Sequence, residues 1–299
     1  MTVPLTNEFV VVADVLGTLR YRFGMKEAET DQNLRCAVNL MEDEFCERLQ
    51  KLVEDGIRIR KLDASTLTEK LLVATRQIGN NPTVVCLDRS YLPDAQHLDP
   101  TLEYGSWRIV AHVNSPSLEA QADKLNEHLK GISLLRGGAE IGIVLVDVGI
   151  SEGRTLTRVI DLLEERKIKI EGIVCGLKSS VGEENIKERG YKVTAVEPGT
   201  WKSWVDSRDL FLIDGIQELD RFRAGSYRRY IPLMDIMDRD DGFGIKPKQK
   251  DAFRNLCMEM NERLLNLLKS KGIDITIIGR PLAARLENTK IRSRVDYQS

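Results

Sequence analysis

The sequence predicts an α/β protein: a parallel sheet flanked by helices, extended at both ends by mainly helical segments. Three observations carry that prediction. Short apolar, β-rich runs recur through the middle of the chain, at 83–87, 107–113, 141–147, 170–175 and 191–196. They do not alternate with polar residues, as strands buried on both faces do not. Helical patterns separate several of them, at 116–130, 154–166 and 181–189, and strands alternating with helices imply parallel pairing.

Taken in order, residues 9–13 (FVVVA) read as a short buried strand, followed by Asp14 and Gly17. From Asp31 to Asp55 the pattern is helical, with Leu34, Val38, Met41, Phe45, Leu49 and Leu52 on one stripe and Gly56 as the stop. Thr66 with Glu69 forms a capping-box pattern that would open a second helix ending near Gly79. Residues 1–80 are thus a mainly helical extension, 81–235 the α/β core and 236–299 a helical C-terminal extension. Within the core a further apolar run, 210–213, precedes an arginine-rich stretch from Arg221 to Arg229. A long helix follows at about 248–271, with Phe253, Leu256, Met260, Leu264 and Leu267 on one face and Gly272 behind it. Residues 273–278 (IDITII) would add one more strand.

Composition narrows the function. The 299 residues carry 44 Lys plus Arg against 46 Asp plus Glu, a net charge of −2, so no polyanion-binding surface is required. Nucleic acid is therefore not the expected partner, although a local basic patch stays open. No apolar run reaches the roughly eighteen residues of a membrane span, and MTVPLTNEF lacks a signal-peptide pattern. The five cysteines are scattered, without a CxxC pair, which points to a reducing cytoplasm rather than to a disulfide scaffold or zinc site.

The most informative stretch is 143–156, IVLVDVGISEGRTL. An apolar strand ends in Asp147, a loop with Gly149 and Gly153 follows, and a helix opens near Thr155. Glycines let main-chain amides approach an anion, hydroxyls donate, and a helix N-terminus adds favourable partial charge. It lacks the Gly-Lys-Ser/Thr of a Walker loop and the GxGxxG of a dinucleotide fingerprint.

This stretch resembles the phosphoribosyl-pyrophosphate (PRPP) motif of type I phosphoribosyltransferases. Asp147 takes the place of the first acid, Val148 that of the second, Ser151 and Glu152 precede the motif glycine Gly153, Arg154 is the variable position and Thr155 the closing threonine. The resemblance implies a phosphoribosyltransferase-like core that transfers ribose 5-phosphate from PRPP to a nucleobase, releasing pyrophosphate with Mg²⁺. Asp147 would bind ribose hydroxyls, and Gly149, Ile150, Ser151, Glu152, Gly153, Arg154 and Thr155 would hold the 5′-phosphate. Two departures stand out: Val148 removes one ribose acceptor, and Glu152 puts a carboxylate where a phosphate-binding hydroxyl is usual.

The same resemblance assigns further positions. Arg89, in the turn after 83–87, would lie on the pyrophosphate loop, or is an ordinary turn arginine. Lys178, in the stretch 170–180 (IEGIVCGLKSS), would touch the base, or is a solvated lysine. Asp209 would join Asp147 at the metal and pyrophosphate end, with Arg221 or Arg223 behind it. Trp204, close to Trp201, would stack on the base, or both pack in the core. The rival reading is a degenerate relative that senses nucleotides or binds a partner, or a nucleotide-cleaving stress effector. The apolar stripes of the helices at 31–55 and 248–271 would pack on the core, or else be buried in a homo-oligomer or hetero-complex.

A second resemblance concerns Asp14-Val-Leu-Gly-Thr-Leu, similar to the first motif of haloacid-dehalogenase-type phosphatases. Leu16 stands where their second aspartate would be, leaving no general acid beside the nucleophile.

Overall fold

The computed structural model describes residues 5–23, 25, 27–78, 82–88, 91–92, 94–98, 101–104, 107–110, 117–208, 218–221 and 245–272. The chain divides into two compact units. The first comprises 1–10, 62–101 and 114–204; the second comprises 11–61, 102–113 and 205–299. Each is assembled from separated stretches, whereas the sequence divides the chain linearly at 80 and 235.

The first unit is built on a five-stranded sheet. Its strands are β3 (Thr83–Cys86), β4 (Gln96–His97), β7 (Ile143–Ile150), β8 (Ile170–Lys178) and β9 (Val193–Ala195), in the order β4-β3-β7-β8-β9. Every pairing is parallel. The apolar run of β7 explains its central place, since Ile143 to Val146 are fully buried and a parallel strand needs cover on both faces. One cover contains α5 (Leu118–Leu135), α6 (Arg154–Glu165) and α7 (Ser180–Glu188), whose Leu125, Leu129, Val159, Ile160, Leu163 and Ile186 join one core with Leu145 and Ile173. Helix α4 (Ala64–Arg76) packs on β7 and β8, with Leu67 against the backbone of Gly176. The parallel sheet between helices predicted from sequence is present.

Several details differ from the sequence reading. Helix α4 starts at Ala64 after Asp63, so Thr66 lies inside the helix rather than capping it. Strands β7 and β8 each run three residues beyond the predicted end, to Ile150 and Lys178. The 107–113 run forms β6 (Trp107–Val110), which pairs antiparallel with β11 (Glu218–Arg221) in a separate sheet of order β11-β6-β5, where β5 is Thr101–Tyr104. A third sheet has the order β10-β1-β2, from β1 (Leu5–Ala13), β2 (Arg58–Asp63) and β10 (Thr200–Asp206). The sequence suggests β1 but neither β2 nor β10. The runs 210–213 and 273–278 lie outside the described residues.

In the second unit, short α1 (Val15–Phe23) and α2 (Glu27–Thr30) lead into α3 (Gln32–Gln50). Asp31 caps α3 by accepting from the N–H groups of Asn33 and Leu34, at 2.9 and 3.0 Å. The predicted stripe Leu34, Val38, Met41, Phe45 and Leu49 is buried, and α3 packs on α8 (Lys250–Ser270). The helix pair runs antiparallel: Lys271 reaches Asp31, and the Arg48 guanidinium makes two bonds to Glu259, at 2.6 and 2.7 Å.

Candidate functional site

The strand order places a topological switch point beside β7. After β3 the chain turns to β4 on one side of β3, and it returns as β7 on the other. In open parallel sheets, ligands bind outside the carboxyl ends of strands that diverge in this way. The last ladder contact between the two is Leu87 N–H to Val146 C=O, 2.9 Å. Strand β7 then continues past it to Ile150, paired among the described residues with β8 on its other side.

Asp147 sits at this place, half-buried, opposite Cys175 in the β8 register. Its charge is felt on both sides. Burial pushes the Cys86 and Cys175 thiols far up, and the Asp147 carboxylate adds to the effect on each. Asp88 is the acid that sequence reasoning passed over in favour of Arg89. It follows β3, accepts from Cys86 Sγ at its carbonyl (3.0 Å), and its carboxylate also raises the Cys86 thiol. The signal was available, because Asp88 follows an apolar run as Asp147 does. Val148 points to the opposite face from Asp147 and is buried, so the second acidic place of the motif is filled by core.

Gly149 shares the face of Asp147. A Cβ there would collide with the indole of Trp204, so the missing side chain admits that ring. Trp204 is half-buried and Trp201 fully buried. The structure thus brings Trp204 to the end of β7 that carries the loop.

The loop itself is three residues, Ser151–Gly153, and Gly153 is the N-cap of α6 with φ 76°. That left-handed conformation favours glycine, and it turns the chain directly into the helix. Thr157 N–H bonds to Gly153 C=O at 2.8 Å. Among the described residues, none accepts from the main-chain N–H groups of Ser151 to Leu156. Six consecutive donors at a helix N-terminus suit an anion.

Glu152 turns to Arg154, with Oε2 2.6 Å from Nε, and both side chains are exposed. Thr155 is half-buried in the first turn of α6. Lys178 is bound to Glu183 at 2.5 Å. Arg89, Asp209 and Arg223 lie outside the described residues. Among the described residues, no three His, Cys, Asp or Glu side chains gather to hold a metal ion, and no helix is long and apolar enough to cross a membrane.

The phosphatase-like reading of Asp14 is not supported by its surroundings. Its carboxylate is fully buried, accepts from Arg208 N–H at 3.1 Å and pairs with the Arg208 guanidinium at 2.8 Å. A nucleophile needs open access to its substrate, and this group is held inside a network with Ser207 and Glu42.

Fold and loop together define a class: an open, parallel α/β protein with main-chain donors at its switch point that no described residue accepts from. Comparisons with known proteins add little to that. No family model and no curated protein matches the chain. Among solved structures, UMP synthase of Leishmania donovani aligns at 13% identity and a TM-score of 0.27, over 66% of this chain and 33% of that one. The chain therefore spans about a third of that structure's length, and at this similarity the likeness says nothing of substrate or reaction.

Proposed function

We propose that this protein binds the 5-phosphoribosyl group of PRPP or of a nucleotide at the β7–α6 loop, and that it is a phosphoribosyltransferase-like protein. The observation that carries the reading is the run of N–H groups from Ser151 to Leu156, from which no described residue accepts, shortly after the Asp147 carboxylate. The phosphate would sit on the loop and the first turn of α6. Asp147 would accept from a ribose hydroxyl, and the half-buried Trp204 indole would offer a face for the base. Transfer to a nucleobase would proceed through an oxocarbenium-like state, with catalysis resting on the register in which phosphate, ribose and pyrophosphate are held. Arg89, Asp209 and Arg223 are proposed for the pyrophosphate end on the motif resemblance alone.

Mg²⁺ is compatible with the residues present. It keeps several waters and takes one or two carboxylates plus substrate phosphates, so a single strand-end carboxylate such as Asp147 suffices on the protein side, with Asp209 as a proposed second. When bound, the ion would neutralise charge building on departing pyrophosphate. The test is base-dependent release of pyrophosphate from labelled PRPP in the presence of Mg²⁺ and a panel of bases. Absence of release with every base, together with absence of PRPP binding, overturns the proposal.

One observation favours a second reading. Val148 is buried and Arg154 is engaged by Glu152, so the ribose and phosphate contacts are fewer than the motif provides. A nucleotide-binding component without turnover fits those contacts, and in the same assay it would bind PRPP or a nucleotide and release nothing.

A further inference from the structure

The loop is held by its carbonyls, and the holders come from one place. Ser179 N–H donates to Ile150 C=O at 2.9 Å, Ser179 Oγ donates to Ser151 C=O, and Asn185 Nδ2 donates to Glu152 C=O at 2.8 Å. Ser179 is the N-cap of α7, its Oγ also accepting from Gly182 N–H at 2.9 Å, and Asn185 lies in the second turn of that helix. The helix start is in backbone contact with the loop: a Cβ on Gly182 would collide with the carbonyl oxygens of Ile150 and Ser151.

A trans peptide points its N–H away from its own C=O. Three successive carbonyls turned to Ser179 and Asn185 therefore turn the N–H groups of Ser151, Glu152 and Gly153 away from α7. For Ser151 that direction is the side of β7 on which β3 runs, beyond the point where the β3 ladder ends at Leu87. Donors aimed in advance need no reorganisation when charge arrives, whereas a loop free to flip its peptides would lose that advantage.

We infer that Ser179 and Asn185 are positioning residues for the anion site, fixing the peptide planes of 150–153 so that their donors converge on the switch point. The inference rests on the reading of this loop as the phosphate site. Neither side chain touches the ligand. Their effect reaches it through the main chain of residues 28 and 33 positions away in sequence.

The experiment uses the full chain, with ribose 5-phosphate as probe and amide and carbonyl NMR of residues 150–156 as readout. Asn185 is exposed, so Asn185→Asp and Asn185→Ala remove the donor without opening the core. Each is expected to weaken ribose 5-phosphate binding about fivefold to tenfold, with an unchanged thermal midpoint and a shifted Glu152 carbonyl resonance. Ser179→Ala should do the same and Ser179→Thr, which keeps the hydroxyl, should restore binding. If wild type binds and the Asn185 variants bind equally well, the positioning role is refuted while the phosphate site stands. If wild type does not bind, the phosphate reading fails. The clamp is then judged on the carbonyl and amide shifts alone: displaced in Asn185→Asp, it holds; unmoved, it is refuted.

Discussion

Glu42 sets a pH dependence that can be worked out from its surroundings. It is fully buried on α3, where its carboxyl accepts from Ser207 Oγ at 2.6 Å and from Val15 N–H at 3.3 Å. Burial raises its pKa from 4.5 to about 7; the Ser207 bond and Lys61 pull it down, and Asp14 pushes it up. Between pH 4.5 and 7 the folded protein keeps a proton that the unfolded chain has released. Stability from this group is full below pH 4.5, falls as pH rises and is flat above 7. Each pH unit of that window is worth about 1.4 kcal/mol, so the loss across it is about 3 kcal/mol. At roughly 2–4 °C per kcal/mol for a chain approaching this size, the midpoint should drop by about 6–12 °C. Glu42→Gln keeps the acceptor oxygen and removes the titration. The assay is denaturant unfolding at half-unit steps from pH 4.5 to 8, wild type against Glu42→Gln. Asp14, Asp206 and Arg208 are common to both proteins, so the difference isolates Glu42. Parallel pH profiles for the two proteins would refute the reasoning, as would a Glu42 side-chain carbonyl titration by NMR with a midpoint below 5.

Three further outcomes are expected. Gly149→Ala places a Cβ inside the Trp204 indole and should cost about 1–3 kcal/mol by overpacking, with a changed Trp fluorescence maximum; adding Trp204→Ala should recover part of that loss. Glu152→Thr removes the carboxylate that engages Arg154 and should tighten ribose 5-phosphate binding by about tenfold, measured by calorimetry; unchanged or weaker binding would mean that the glutamate serves the site. A double-mutant cycle on Arg48 and Glu259, which are both well exposed, should return a coupling energy no larger than about 1 kcal/mol, shrinking with added salt.

The elements legible in the sequence were those whose burial repeats along the chain. Helix α3 was readable because Leu34, Val38, Met41, Phe45 and Leu49 face one side, and β7 because four successive residues are apolar and buried. Strand β2 was not readable, since Leu62 is its one buried residue and the rest of RIRKLD is charged or half-exposed. Strand β10 did carry a signal in the period-two spacing of Trp201, Ser203 and Val205, with Trp201 and Val205 both buried, but the two tryptophans suggested either a face for a ligand or core packing rather than a strand. The 107–113 run looked like its neighbours, yet β6 pairs antiparallel with β11, because composition reports that a strand is apolar and not which strand lies beside it.

By itself, the sequence determined the order of β3, β7, β8 and β9 and of the helices α5, α6 and α7 between them, the glycine at the left-handed entry to α6 and the acid at the end of the apolar run before it. These depend on neighbours within a few positions, where periodicity and turn chemistry act. Only the tertiary structure decided that Asp88, just past β3, and Asp147, within the neighbouring β7, lie at a switch point, that Trp204 fills the space over Gly149, and that Asp14 is locked in a buried ion pair rather than open to a substrate. The direction of the loop donors belongs to the same group. It is set by hydrogen bonds from Ser179 and Asn185 to carbonyls distant in sequence, and such contacts exist only once the strands have paired and α7 has packed beside the loop.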